Sequence, residues 1–317
     1  MIGNDIEYAA ELLSGGELVA IPTETVYGLA GNAFNSRAVS RIFAVKERPS
    51  FDPLIVHTSS ADQIPDLVSE LPKQAELLIN KFMPGPLTVL LKKRAIIPDL
   101  VTSGLERVAI RIPKHPLTLK LLSQLDFPLA APSANPFGYI SPTTAQHVED
   151  QLGNKIPYIL DGGQATVGLE STIVGFENGK AIIYRKGGLS IDAIRAVIGD
   201  VYVREFSTSN PATPGMLISH YAPGAPVILG TIPALIKKYS HKKLGTISLN
   251  TLVDSIPRER QLILSERQDM EEAARNLFAG MRYLDRLHLD LIIAELVPEK
   301  GLGLAINDRL RRAAGGN

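Results

Sequence analysis

Residues 207–226, STSNPATPGMLISHYAPGAP, carry no charged side chain and hold Pro211, Pro214, Pro223 and Pro226. Such a stretch can neither continue a helix nor pair as a central strand, because each proline lacks a backbone donor and fixes φ. It therefore divides the chain into two blocks, each long enough to bury a core of its own. On this reading residues 1–206 form one domain, 207–225 a linker, and 226–317 a second, smaller domain. A plain tether would be polar, yet Met216, Leu217, Ile218 and Tyr221 stand here together. The segment is expected to lie against the first domain, as a lid, as well as to join the two.

On either side, strand-like and helix-like segments alternate. In the first block ELVAIPT, PLIVH, LTVLLKK, VAIRIP and FPLAAPSA read as strands, rich in β-branched residues and cut by proline. SRAVSRIFAVKE reads as a helix, with Val39, Ile42, Phe43 and Val45 near helical spacing, and PKQAELLINKFM and TTAQHVEDQLG read likewise. In STIVGFENGKAIIYR two apolar runs flank Asn178-Gly179, the pair a type I′ hairpin turn favours because both central residues need positive φ. The mixture predicts an α/β domain with a partly antiparallel sheet. In the second block APVILG, KLGTISL, QLILSE and DLIIAELV alternate with helices, which predicts a small parallel sheet. Its longest helix starts at Asp269, where Glu272 completes a capping-box pattern ahead of an apolar stripe through Leu277, Met281 and Leu284.

Several function classes are set aside by composition. No apolar run reaches the roughly 18 residues of a membrane span. The first twenty residues carry acids where a secretory signal would carry cations, so a cytoplasmic location is expected. The chain has no cysteine, which excludes disulfides and thiolate metal sites, and its six histidines are scattered. Basic and acidic residues balance at 33 each, and residues 1–206 hold 19 basic against 22 acidic side chains. No global field draws such a chain onto nucleic acid, and with 6% aromatic residues it has little to stack on bases. Any anion site must be built from a few placed cations. The G-x-x-x-x-G-K-[ST], G-x-G-x-x-G and G-x-S-x-G patterns are all missing.

Polar clusters at strand ends remain. KERPSFDPLIVH places Lys46 and Arg48 on a proline-braced loop before a strand that ends at His57. IPTETVYGLAG puts Thr23 and Thr25 after a strand, which reads first as a capped turn into a helix. APSANPFGYISPT gathers Ser133, Asn135, Ser141 and Thr143, hydroxyls that suit phosphate or ribose but serve turns equally well. DGGQATVGLESTIVG delivers Ser171 and Thr172 to a strand start. Arg111 alternates into an apolar strand and needs an anion, either a structural carboxylate or a ligand's. Arg185 closes the hairpin next to Lys186, as a site residue or as a solvated strand end.

Taken in order, PTETVYGLA, the K-x-R loop, PLIVH, PGPLTVLL, VAIRIP, APSAN, DGG, ESTIV and YRKGG resemble the YrdC-like proteins. SNPATPGMLISHYAPGAP and GLGLAINDRLRRAAGG resemble the linker and C-terminal domain of the long-form threonylcarbamoyl-AMP synthases, so the resemblance covers nearly the whole chain. It implies a YrdC-like twisted mixed sheet with a concave, basic-lined groove, followed by a small Rossmann-like parallel-sheet domain. It implies a nucleotidyltransferase that makes threonylcarbamoyl-AMP and pyrophosphate from L-threonine, bicarbonate or CO2, and ATP with Mg²⁺. A partner transferase would pass the threonylcarbamoyl group to tRNA beside the anticodon, with no strong direct tRNA binding by this chain.

By the same resemblance Lys46 and Arg48 face the phosphates as catalytic cations. Thr25, His57, Arg111, Ala131 and Ser171 form the threonine pocket. Arg48, Asp52, Arg107, Ser133, Ser141, Arg185 and Tyr221 contact ATP, with Tyr221 closing over the nucleotide. Three positions depart from the family pattern. Arg107 stands where relatives often have threonine, Asp52 replaces a common asparagine, and SANPFG replaces SANLSG, which loses a hydroxyl at Phe137. The alternatives are an RNA-binding module without catalysis and a carbamoyl-transfer domain of hydrogenase maturation; chains of the latter kind carry cysteine zinc modules, which this one lacks.

Overall fold

A computed structural model describes residues 1–204 and 221–315. The first block builds eleven strands, β1 (Ile2–Gly3), β2 (Val19–Ile21), β3 (Gly28–Asn32), β4 (Ile55–His57), β5 (Leu87–Lys92), β6 (Arg107–Arg111), β7 (Leu129–Ala130), β8 (Tyr158–Leu160), β9 (Thr172–Glu177), β10 (Lys180–Arg185) and β11 (Val201–Val203). They form one sheet in the order β1-β8-β2-β3-β7-β4-β6-β5-β9-β10-β11. The pairs β2–β3, β3–β7, β4–β7, β5–β6 and β9–β10 are antiparallel and the rest parallel. The second block adds β12 (Val227–Leu229), β13 (Leu244–Ser248), β14 (Gln261–Ile263) and β15 (Leu291–Ala294), an all-parallel sheet in the order β12-β15-β13-β14. The expected α/β class, mixed sheet then parallel sheet, is what the chain forms.

Alternation along the strands sorts the core. Val56, Val89, Ile110 and Val174 pack on one face against the helices Ser36–Lys46, Lys73–Phe82 and Ile191–Ile198. Their neighbours Ile55, Leu90, Ala109 and Ile173 turn to the other face and meet Tyr184 in a separate buried strip. Towards β2 and β3 that other face is covered by the helices Ile6–Ser14 and Pro116–Ser123. The hairpin turn is as the sequence predicts, with Asn178 at φ 52° and Gly179 at φ 73°.

Two local readings change. The segment after Thr25 does not enter a helix: Gly28–Asn32 is a strand, antiparallel to β2. Its glycines let it pass close to its neighbours, since a Cβ at Gly31 would stand 2.9 Å from Leu18 Cδ2. The capping box at Asp269 is only half present. Asp269 accepts from the Glu271 and Glu272 amides, but Ser265 takes the return role, accepting from the Asp269 amide and donating to the Glu272 carboxylate.

The two sheets share apolar packing. Val26, Ile140 and Leu169 of the first block belong to the same buried cluster as Leu277, Phe278 and Met281 of the long helix Met270–Asp285. Of the expected lid, residues 207–220 lie outside the described residues. Tyr221, which begins the described second part, is buried in that shared cluster.

Candidate active site

Strand direction places the site. β4 and β6 run parallel and pair His57 with Arg111 at their carboxyl ends. β9 begins, and β10 ends, at the same edge, which brings Ser171 and Arg185 beside them. Ligand sites of α/β sheets lie outside such carboxyl ends, where connecting loops splay apart. Here the edge encloses a hollow of about 50 Å³. Thr25, Arg48, His57, Arg111, Ala131, Ser133, Ser171, Arg185 and Tyr221 all line it, together with Thr23 and Glu170.

One side suits an amino acid. Arg111 Nη2 lies 2.8 Å from Glu24 Oε1, with both side chains buried, while the Glu24 Oε2 accepts from the Lys114 amide. The two alternatives for Arg111 therefore coincide, because it is ion-paired and also faces the hollow. His57 is neutral: burial first, and the adjacent Arg111 charge second, lower its pKa to about 3. Its Nδ1 is buried with no hydrogen-bond partner among the described residues. Thr25 Oγ1 is 2.7 Å from Thr23 Oγ1, and Ser171 Oγ is 2.7 Å from Thr88 Oγ1, so both hydroxyls are fixed from behind.

The other side is cationic. The helix Ser36–Lys46 ends because Glu47 adopts φ 54° and Pro49 cannot follow in helix, which turns Arg48 inward. Arg48 pairs with Asp52 at 2.9 Å and donates to the Asp52 and Pro53 carbonyls at 2.9 and 2.8 Å. Asp52 is fully buried, so this acid fixes Arg48 instead of facing the hollow. The Phe137 ring sits 5.9 Å from the Arg48 guanidinium, a use for the residue that stands in place of a hydroxyl. Arg185 donates from Nε and Nη2 to the Ser171 carbonyl and hydroxyl, each at 3.0 Å. Burial lowers its pKa to about 10, so it stays charged at neutral pH.

Besides Asp52, three expected contacts stand elsewhere. The Lys46 ammonium is buried one layer behind, donating to the Ser133 and Asn135 carbonyls at 2.6 and 2.5 Å. Burial, and then the Arg48 charge, push its pKa well down. Ser141 does not line the hollow; its hydroxyl donates to Glu170 at 2.5 Å. Arg107 starts the strand that Arg111 ends, on the same face but roughly 13 Å away at about 3.3 Å per residue. It pairs with Glu177 at 2.8 Å and lines a separate hollow of about 550 Å³.

Glu24 and Glu170 were missed by sequence reasoning, although each adjoins a residue that was singled out. Arg309 was missed too. It lies on the stripe Ala305, Ile306, Leu310, Ala313 of the last helix Gly303–Ala314, where a cation among apolar positions is a legible signal. No group of three His, Asp or Glu side chains among the described residues could hold a metal. The acids nearest the hollow, Asp52, Glu24 and Glu170, are each paired with an arginine. The donor set thus fits a divalent ion carried on phosphate oxygens better than one held by the protein. No helix among the described residues is long and apolar enough to cross a membrane.

Residues 11–187 match a family model described as telomere recombination, and residues 189–315 one described as threonylcarbamoyl-AMP synthase, C-terminal domain. The chain is 42% identical to the threonylcarbamoyl-AMP synthase of Pyrococcus abyssi, over 98% of this chain and 94% of that one. A crystal structure described as P. abyssi Sua5 complexed with L-threonine superposes with a TM-score of 0.94 at 40% identity, covering 100% of this chain and 98% of that chain. A shorter relative, the threonylcarbamoyl-AMP synthase of Vibrio vulnificus, is 36% identical over 51% of this chain and 88% of its own length.

Proposed function

The chain belongs to the threonylcarbamoyl-AMP synthase family, and from that premise we propose that it joins L-threonine, bicarbonate or CO2, and ATP into threonylcarbamoyl-AMP with release of pyrophosphate. The observation that supports this most is the division of one hollow into two sides. Arg111, His57, Thr25 and Ser171 suit a small zwitterion with a hydroxyl, and Arg48, Arg185 and Ser133 suit a polyphosphate.

In this reading the α-carboxylate of threonine takes a place on Arg111, whose orientation Glu24 holds. The neutral imidazole of His57 offers Nδ1, a buried polar atom without a partner, to the amino acid. The threonine amine must lose a proton to capture CO2; the resulting carbamate oxygen then attacks the α-phosphorus, and the bond to pyrophosphate breaks. Little covalent work falls to the protein. Holding two reactants in line contributes several kcal/mol, and placed cations stabilise charge as it gathers on the leaving group. Mg²⁺ enters bound to ATP and supplies further charge neutralisation there. Lys46 keeps the Ser133 loop in place from behind. Arg107 lies far enough along the sheet face to meet only the distal end of an extended nucleotide.

A 50 Å³ hollow holds neither substrate, since ligand pockets run to roughly 300–1,000 Å³. In our reading a wall moves to admit them. Tyr221 is the wall that the linker supplies, and its φ of 68° is a strained value for a non-glycine residue. In our reading it swings out to admit substrates and returns to exclude water from a hydrolysable adenylate. The product passes to a partner transferase that modifies tRNA, without tight tRNA binding here.

The test is pyrophosphate release from ATP with threonine and bicarbonate supplied together or singly. Release only with both is expected. Equal release with serine, or without bicarbonate, would sink the threonine assignment.

A further inference from the structure

The C-terminal block reaches the loops behind the nucleotide side through buried arginines. Arg309, on the last helix, is completely buried and lies across the boundary between the two sheets. Its Nε and Nη2 donate to the same Glu170 oxygen, Oε2, at 3.1 and 2.9 Å. Nη1 donates to the Lys186 carbonyl and to Asp308 Oδ2, at 2.9 and 2.7 Å. The guanidinium carbon also sits 5.0 Å from the Tyr221 ring centroid.

Glu170 is what this arginine holds, and Glu170 lines the hollow. Its other oxygen, Oε1, accepts the Ser141 hydroxyl, and its carbonyl accepts from the Gly188 amide at 2.8 Å. The next residue, Ser171, accepts two hydrogen bonds from Arg185. A second arginine from the same block holds the loop that carries Ser141, between β7 and the helix Ala145–Leu152. Arg282, on the long helix, donates to the Ile140 and Ser141 carbonyls at 2.5 and 3.3 Å. Ser141 is thus fastened at its hydroxyl through Glu170 and at its carbonyl directly.

Cohesion between the blocks does not call for this arrangement. A buried ion pair is a weak way to hold two surfaces together, because desolvation offsets most of the attraction and a well-packed apolar pair does as well or better. Val26, Ile140 and Leu169 already supply such packing. What the pair does provide is an ionised carboxylate at one fixed place on the hollow's wall. Burial would raise the Glu170 pKa, yet the charges of Arg309 and Arg185 and the Ser141 hydrogen bond outweigh it and hold the carboxyl below its usual range.

We infer that Arg309 is a positioning residue for nucleotide binding, acting through Glu170, whose carboxylate it holds on the wall that Arg185 also lines. The C-terminal block is in this view a part of the nucleotide site, and it bears on ATP and not on threonine. This rests on the reaction proposed above.

The experiment uses the full-length chain and measures KM for ATP and for L-threonine by pyrophosphate release. Arg309→Lys keeps the charge and loses the fork; it should raise the ATP KM at least tenfold and the threonine KM less than twofold. Because an unpaired Glu170 can unfold the chain, a second variant combines Glu170→Gln with Arg309→Met, removing both charges. It should melt no lower than wild type and still show the tenfold ATP defect. A double variant with wild-type ATP KM, or an Arg309→Lys chain whose two KM values rise together or not at all, overturns the inference. Wild-type chain that releases pyrophosphate without needing threonine and bicarbonate is a separate failure, that of the reaction itself.

Discussion

Arg111 and Glu24 face each other at 2.8 Å where β6 ends, and neither side chain is more than 6% exposed. A pair this deep is held in one geometry, so the guanidinium reaches the hollow already oriented. In the proposed reaction Arg111→Ala removes the cation that meets the substrate's carboxylate, and it strands the buried Glu24 carboxylate. Breaking a buried pair this way costs about 3–5 kcal/mol, so a large drop in the denaturant midpoint should accompany loss of threonine binding. Glu24→Gln keeps the shape and should weaken threonine binding with a smaller stability loss. Calorimetry that finds wild-type threonine affinity in Glu24→Gln removes Glu24 from that role.

Arg48 is expected to matter for ATP. Arg48→Ala loses a charge-assisted contact worth roughly 1.5–3 kcal/mol, a ten- to hundredfold rise in ATP KM. It also leaves Asp52 buried without its arginine. Adding Asp52→Asn should restore melting temperature without restoring ATP use. If ATP affinity and turnover stay unchanged in both variants, Arg48 serves only the loop.

His57 predicts a slope of stability with pH. Burial and Arg111 lower its folded pKa to about 3 from the ordinary 6.5. Between those values the unfolded chain binds more protons than the folded one, so stability is complete above pH 6.5 and falls as pH drops towards 3. At pH 5.5 the loss from this one group is about 1.4 kcal/mol, one pK unit. His147, lowered to about 4 chiefly by burial, tilts the curve the same way. The measurement is therefore a difference: urea midpoints of wild type and His57→Gln from pH 7.5 to 5. The variant should show the shallower slope, and identical slopes would mean that His57 is protonated in the fold.

Tyr221 stacks on Phe278 at 5.4 Å, and the Arg309 and Arg312 guanidinium groups sit 5.0 and 4.7 Å from its ring centroid. Tyr221→Ala should raise the ATP KM and increase the share of product lost as AMP. Product retention equal to wild type would reduce the lid to a spacer. Cutting the chain after Phe206 is a harsher change than the linker alone suggests. It uncovers Val26, Ile140 and Leu169 and leaves Glu170 without Arg309, so the first block alone should melt lower than the whole chain.

Gly179 offers a control away from the chemistry. It sits at φ 73° with open space around its Cα. Gly179→Ala should lower stability by about 1–2 kcal/mol, the strain of a left-handed Cβ. Its KM values should not move.

Local physics made much of this molecule legible in its sequence. Asn178-Gly179 specified its hairpin because few residue pairs accept two positive φ values, and the β-branched pair Ile55-Val56 after Pro53 marked a strand because branched side chains suit a pleated surface. The charge-free proline stretch separated the two sheets for the same kind of reason. The family motifs brought most of the hollow's lining residues into one list before any coordinates. Tertiary structure decided the partners. Whether Asp52 faced a nucleotide or an arginine, and whether Lys46 touched the hollow or the loop behind it, depended on side-chain directions that no local pattern encodes. That Arg309 meets Glu170, 139 residues away in the chain, follows only from how the last helix seats against the first sheet. Long-range ion pairs are fixed by the whole packing, because burial sets which charges must find each other and the fold sets which of them can.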